Sequence, residues 1–505
     1  MPGLALVGLL ACSALPTGRG LTQRSRTAYW TELVAPLYSS EANNKVLGTA
    51  QSSSNPAQWP EYTDSANPSQ WVYKPASDWT SAFLADQLYL LHERFSTLCP
   101  NDGDTTDWLS LARTWSNGLY NPSQDVLASW AHDVGFNSAP MMHELRIDPA
   151  NETAKIALLS NAQYLASRYS SAVGCTKSWD RGEGDFEVII DNMMNLQLLL
   201  TAADLSGNST YRDIATSHAN KTMQNHIRPD GSSYQVVNYD PTNGQVLWKG
   251  TAQGYSNEST WTRGHAWGTL GFALMYNATG ISAYYDTAVR MAEFALNATA
   301  GGPAWQYGNP VTPFPWDFSA PQPTTLDTSA SAIFDTALIL LLSFAASRGT
   351  TNGETTWFYP ATDLFANTGL SSGTNTSRYP TRWTGASILG NATINNRADP
   401  PLNNTGAVYG DAYILRAANN FLKLGMLNCT AGPAHIGTPA VGASPTALSA
   451  PWISASNGSA SSSGNGTRGP ASQSGGSKSG ATSGASAHRP PSLFRTLALV
   501  LDSLR

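Results

Sequence analysis

A chain of 505 residues, 41% of them hydrophobic, can bury a substantial core in one large domain or two ordinary ones. Only 13% of residues are charged, the formal net charge is −6 and no basic patch stands out, which argues against nucleic acid as a partner. The 16 Trp and 20 Tyr combine an apolar face with a polar edge, which suits sugar rings as well as a core.

In chain order, residues 1–20 read as a signal peptide: an apolar run followed by small residues, without a basic start. About a dozen Asn-X-Ser/Thr sequons, among them Asn151, Asn208, Asn220, Asn277, Asn297, Asn391 and Asn428, agree with a secreted, glycosylated protein. From residue 28 to about 430 the pattern is helix after helix. Apolar residues recur at helical spacing over 29–38, 79–95, 108–119, 155–169, 189–205, 211–226, 261–276, 282–296, 329–346 and 411–424. Alternating patterns are scarce; Tyr234–Tyr239 is one, beside the turn Arg228-Pro-Asp-Gly231. Some helices are apolar on nearly every face and must be surrounded by protein, whereas others are amphipathic. Two layers of helices in one all-α domain follow, and no apolar run is expected to reach transmembrane length.

Residues 440–505 form a low-complexity tail. Its Ser, Gly, Ala and Asn cannot bury enough apolar surface to offset ordering entropy, so disorder is expected. The final stretch, 493–504, is partly apolar but carries Arg495 and Asp502, a poor signal for surface anchoring. With Cys12 inside the signal, Cys99, Cys175 and Cys429 permit one disulfide and one free thiol, and the sequence does not select the pair.

Two aspartates are candidates for acid–base chemistry. Asp191 interrupts the most apolar helical stretch, where burial would raise its pKa, and a neighbouring Asp133 would raise it further. Asp133 follows His132 and precedes Val-Gly-Phe136, as at a helix end that opens onto a site; a capping aspartate is the commoner explanation. Arg263 and Trp267 share a helix face, fit to hold a carboxylate with a planar fork and to lie against a sugar. An arginine paired with a structural aspartate is the alternative. Gly264, Gly268 and Gly271 are spaced for close helix contact. Trp316-Asp-Phe-Ser-Ala-Pro321 is a shaped loop, functional or merely rigid. The histidines lack metal-ligand spacing, and no nucleotide or cofactor motif occurs, so neither metal nor cofactor is expected.

Taken in order, Asp78-Trp-Thr80, His132–Phe136, Ile190–Leu196, Arg228–Ser232, Gln253-Gly254, Trp261–Trp267, Trp316–Pro321 and Tyr409–Tyr413 resemble the unsaturated glucuronyl hydrolases of glycoside hydrolase family 88, in a fungal-type secreted form. The resemblance implies an (α/α)6 barrel. It also implies a hydrolase that frees a 4,5-unsaturated uronic acid from the non-reducing end of lyase-generated oligosaccharides by hydrating a vinyl ether. On that basis Asp191 is the general acid/base and Asp133 the second essential carboxylate. His132, Gln253, Arg263, Trp267, Gln235, Trp79 and Trp179 contact substrate. Two residues depart from the family pattern: Gln235 stands where some members have His, and Ser81 where Asn is found. The alternatives are a hydrolase of unsaturated galacturonyl-rhamnose from pectin, a conventional inverting glycosidase, and a carbohydrate-binding barrel without catalysis.

Overall fold

A computed structural model of the chain describes residues 35–182, 184–299, 311–347, 351–369 and 385–429. The expected signal peptide and Ser/Gly tail lie outside the described residues.

Six helices are buried on nearly every face: α2 (Phe83–Glu93), α6 (Ala139–Ile147), α8 (Leu196–Ser206), α10 (Thr262–Thr279), α12 (Thr328–Ser347) and α14 (Val408–Lys423). Six others alternate with them: α1 (Ser40–Ala50), α3 (Trp108–Ser116), α7 (Glu152–Ser167), α9 (Ser209–Asn225), α11 (Ser282–Thr299) and α13 (Thr351–Gly369). Short α4 (Gln124–Trp130) and α5 (Val134–Asn137) lead into α6. Helix α8 packs on α10, α10 on α12, α12 on α14, α14 on α2 and α2 on α6, and short α5 touches both α6 and α8, so the inner layer closes into a ring. This is the (α/α)6 barrel.

Local chemistry explains many of the boundaries. Asn151 and Asn208 accept the first free N–H groups of α7 and α9. Asp327 does the same for α12, accepting from the Ser329 and Ala330 amides. Gly207 and Gly280 take left-handed conformations at the ends of α8 and α10.

One expectation about apolar length fails. Helix α12 has 20 residues and a mean hydropathy of 1.8, enough by length and composition to cross a bilayer. Its apolar window is 94% buried within the barrel, which is how a central core helix meets the same criterion. The Tyr29–Tyr38 segment also departs from expectation. Its described part, Ala35–Tyr38, is a single 3-10 turn, and the helix lies just after it, in α1.

Among the described residues, strands are few and sit at the connections. β1 (Trp59–Thr63) pairs antiparallel with β2 (Trp71–Lys74), and β3 (Tyr169–Ser170) with β4 (Cys175–Thr176). β5 (Phe186–Ile189), β6 (Val236–Tyr239) and β7 (Val246–Gly250) form an antiparallel sheet with β6 central. Cys99 pairs with Cys429, leaving Cys175 as a buried thiol.

Candidate active site

Asp191 does not lie in a regular α-helix. Residues Ile190–Met194 form a 3-10 turn between β5 and α8, and α8 begins only at Leu196. The turn is laid on the glycine face of α10. A Cβ at Gly271 would sit 2.5 Å from Met193 Cβ, and one at Gly268 would sit 2.6 Å from Ile190 Cδ1. At Gly271, where the Met193 backbone lies just behind, a side chain larger than hydrogen would therefore push away the segment that carries the carboxylate.

The Asp133 segment docks on the same unit. Asn195 Oδ1 accepts from the Phe136 amide at 3.1 Å, and a Cβ at Gly135 would sit 2.6 Å from Asn195 Cα. Asn192 in turn donates to the Thr176 carbonyl and hydroxyl at 3.1 and 2.9 Å. Asn195 thus links the two turns instead of sharing a helical face with Asp191. Asp133 precedes α5 but its side chain makes no capping hydrogen bond, so the capping explanation does not hold.

The two carboxyl groups are tuned by different surroundings. Burial pushes Asp191 up to about 7, against the nearby positive charge of Arg263, which lowers it. Its Oδ2 is buried without a hydrogen-bond partner among the described residues. Asp133 is raised well above the ordinary carboxyl value by burial and then by the negative charges of Asp191 and Asp78. The two carboxyls face one another as like charges, so an ionised form of either favours the neutral form of the other.

His132 explains how a neutral Asp133 is accommodated. Its Nδ1 donates to the Ser178 carbonyl at 2.9 Å, which fixes the proton on that nitrogen. Burial pushes the imidazole down to about 3, so it stays neutral and Nε2 carries a lone pair. That atom lies 3.2 Å from Asp133 Oδ1, close but not aligned as a formed hydrogen bond. A protonated carboxyl is the species that suits this contact.

Three side chains expected to touch substrate have other partners. Arg263 is 2% exposed, and its Nη1 donates to Asp327 at 2.6 Å and to the Thr393 carbonyl, while Nη2 donates to the Ile394 carbonyl at 2.8 Å. Its fork holds the base of α12 and the 393–394 segment, so Arg263 acts here as a buried cation beside Asp191. Trp267 is 1% exposed, with the Phe136 and Tyr413 rings each 5.1 Å away, so protein occupies the space a sugar would need. Gln235 is buried too, and its amide is bonded to the 251–253 loop.

The other expected contacts are only partly buried. Trp79 is half-buried, packed edge-on to Phe83 and Phe136 and 5.0 Å from Tyr409. Trp179 is half-buried, 6.3 Å edge-on from His132 and covered on one face by the Arg181 guanidinium at 3.7 Å. Gln253 is half-buried in a loop anchored by Asp317, whose Oδ2 accepts from the Tyr255 amide and the Ser259 hydroxyl at 2.8 and 2.7 Å. The Trp316–Pro321 loop is thus a rigid support. Ser81 is buried, 2.9 Å from the Asn137 amide group.

Glu61 was not singled out from sequence. Burial and then Asp78 push it up to about 7, while Lys74, 3.4 Å away, lowers it. Nothing in Trp59-Pro-Glu-Tyr-Thr63 distinguishes this strand glutamate from any other.

No family model matches the chain. It is 33% identical over 356 residues to the unsaturated glucuronyl hydrolase of Formosa agariphila, covering 68% of this chain and 80% of that protein. It is 33% identical over 294 residues to the unsaturated glucuronyl hydrolase of Bacillus sp. strain GL1, covering 57% and 72%. The crystal structure of an unsaturated glucuronyl hydrolase specific for heparin superposes with a TM-score of 0.66 at 27% identity, covering 79% of this chain and 99% of that one. The helical ring, the paired carboxyl turns and these likenesses agree: the chain is a glycoside hydrolase and belongs to the unsaturated glucuronyl hydrolase family.

Proposed function

We propose that Asp191 and Asp133 are the catalytic carboxyl groups of this hydrolase, which releases a 4,5-unsaturated uronic acid from lyase-generated oligosaccharides. The observation that carries the assignment is the pair itself. Two aspartates are docked on one another's turns through Asn195, and both are biased toward the protonated form. Asp191, with a free Oδ2 and a pKa near 7, can give a proton and take one back near neutral pH.

In the proposed step, Asp191 donates its proton to carbon 4 and the double-bond electrons form that C–H bond. Carbon 5 becomes cationic, and the ionised Asp191 accepts a proton from the water that bonds there. The hemiketal then opens and the leaving sugar departs, with one water consumed overall. Asp133 stays protonated beside neutral His132, so it orients substrate by hydrogen bonding without adding a second negative charge.

Trp79, Trp179 and Gln253 supply the aromatic and polar contacts in this reading. The relatives' names support glucuronyl substrates over galacturonyl-rhamnose. Secretion is also part of the proposal, on the apolar start and the sequons. Asn220 and Asn297 are exposed, whereas Asn391 is 8% exposed and Nδ2 of Asn277 is buried, so glycans belong on the former pair.

The test is incubation with lyase-treated and untreated uronan. Loss of the double-bond ultraviolet absorbance in the treated sample alone, with heavy oxygen from solvent entering at carbon 5, is the expected result. Label at carbon 1 of the uronic acid would exclude hydration of the double bond.

A further inference from the structure

Gln235 and Gln253 form a one-way relay of hydrogen bonds. Oε1 of Gln235 accepts from the backbone amides of Ala252 and Gln253 at 2.8 and 2.9 Å, and from the Thr251 hydroxyl at 2.6 Å. Backbone N–H groups can only donate, so this atom must be the carbonyl oxygen. The other end of the amide is then an NH2 group. It donates to Gln253 Oε1 at 2.9 Å, which fixes that atom as oxygen in turn. The NH2 of Gln253 is left without a protein acceptor among the described residues.

We propose that Gln235 is a positioning residue that holds Gln253 with its NH2 turned to the substrate, so that the site presents a donor there and selects an acceptor such as a uronate carboxylate or a sugar oxygen. The location fits this role. The Gln235 carbonyl accepts from the Ile190 amide at 2.9 Å, one residue from Asp191, so the relay is built onto the turn that carries the proposed acid. A histidine at this position offers at most one acceptor nitrogen to three donors, so it could not hold the loop in the same way. The glutamine is a specificity device of this chain. The inference rests on the substrate reading above.

The experiment is a double-mutant cycle on the full chain, with the unsaturated disaccharide from a uronan lyase as probe. Gln235→Glu keeps the oxygen that holds the loop but replaces the donor by an acceptor, which turns the Gln253 amide around. It is expected to lower kcat/KM by about 10- to 100-fold, mainly through KM, the loss typical of one hydrogen bond to a charged group. In a Gln253→Ala background the same substitution should have less than about a twofold effect, because residues that act through one another are not additive. Lowering the pH should partly restore Gln235→Glu relative to wild type, since the introduced carboxyl can donate again once it is protonated. Additive losses would overturn the proposal.

A second measurement does not depend on any variant at position 235 folding. The Gln253 side-chain NH2 should exchange with solvent freely in the unliganded protein and become protected when the disaccharide binds to Asp191→Asn. Protection before ligand is added would also overturn the proposal. A wild-type protein that leaves the disaccharide intact would count against the substrate reading, and the exchange of the free protein would still decide the orientation of the amide.

Discussion

At the residue scale, Asp191 is costly to the fold in its ionised form. Its folded pKa, about 7, lies above the ordinary carboxyl value. A group raised on folding contributes its full share of stability below its unfolded pKa and loses it as pH rises through the folded one. Ionised Asp191 therefore destabilises the native state above neutrality. Asp191→Asn, a neutral mimic, should abolish turnover yet melt higher than wild type at pH 8, by about 2–4 kcal/mol in stability, with little difference at pH 4. Melting curves at the two pH values beside a turnover assay decide it. A structural aspartate would give the opposite, lower melting at both. Asp133 carries a different expectation. In the proposed mechanism Asp133 keeps its proton throughout, so Asp133→Asn should cut the rate but leave the alkaline limb near pH 7 in place. A limb displaced by about one unit toward acid would mean that Asp133 is ionised in the working enzyme.

At the element scale, the site is built from irregular pieces held by regular ones, and this limits what the sequence reveals. The long apolar stretches of α10 and α12 were legible because burial on all faces keeps charged side chains rare. The Asp191 turn was read as part of a helix because 3-10 and α segments share nearly the same apolar spacing; only Asn195, spent on the Phe136 amide, breaks the continuity. Helices α4 to α6 were missed: Gln124–Trp130 is short, and Val134–Asn137 and Ala139–Ile147 are separated by Ser138. The glycine spacing on α10 was legible as close packing, though not what it packed against. Gly271→Ala tests that packing. Its new methyl would meet Met193 Cβ at 2.5 Å, with the Met193 backbone behind it, so neither side can yield cheaply. Overpacking of this kind costs about 1–3 kcal/mol, and the displaced turn should lower kcat as well as the melting temperature. Unchanged kcat at a lowered melting temperature would mean that the Asp191 turn does not rely on this contact.

At the scale of the whole molecule, the barrel must join its last inner helix to its first, across more than 300 residues of chain. The Asp86 carboxylate of α2 accepts from Arg416 of α14 at 2.7 and 2.5 Å, and from His143 of α6 at 2.6 Å. Arg94 reaches Asn419 at 2.9 Å, Lys423 reaches Glu93 at 2.6 Å, and the Cys99–Cys429 bond spans 330 residues beside them. The Cys99–Cys429 pairing was not legible because it depends on which helices become neighbours when the ring closes. Burial alone would raise the Asp86 carboxyl, but Arg416 and His143 outweigh it and hold it well below the ordinary range. The stability it contributes is present above its unfolded pKa and is lost only as pH falls through the lower folded value. Arg416→Met removes the cation and leaves a buried carboxylate with only the neutral His143 against it, at a cost of about 3–5 kcal/mol near neutral pH. The sign of the pH dependence then reverses. With its main cation gone, the folded pKa of Asp86 rises above the unfolded one, and protonation relieves the variant as pH falls. The gap in melting temperature between wild type and Arg416→Met should therefore be widest near pH 7 and narrow toward pH 4. A gap that stays constant over that range would show that Arg416 contributes packing at the ring closure and not the charge that holds Asp86 ionised.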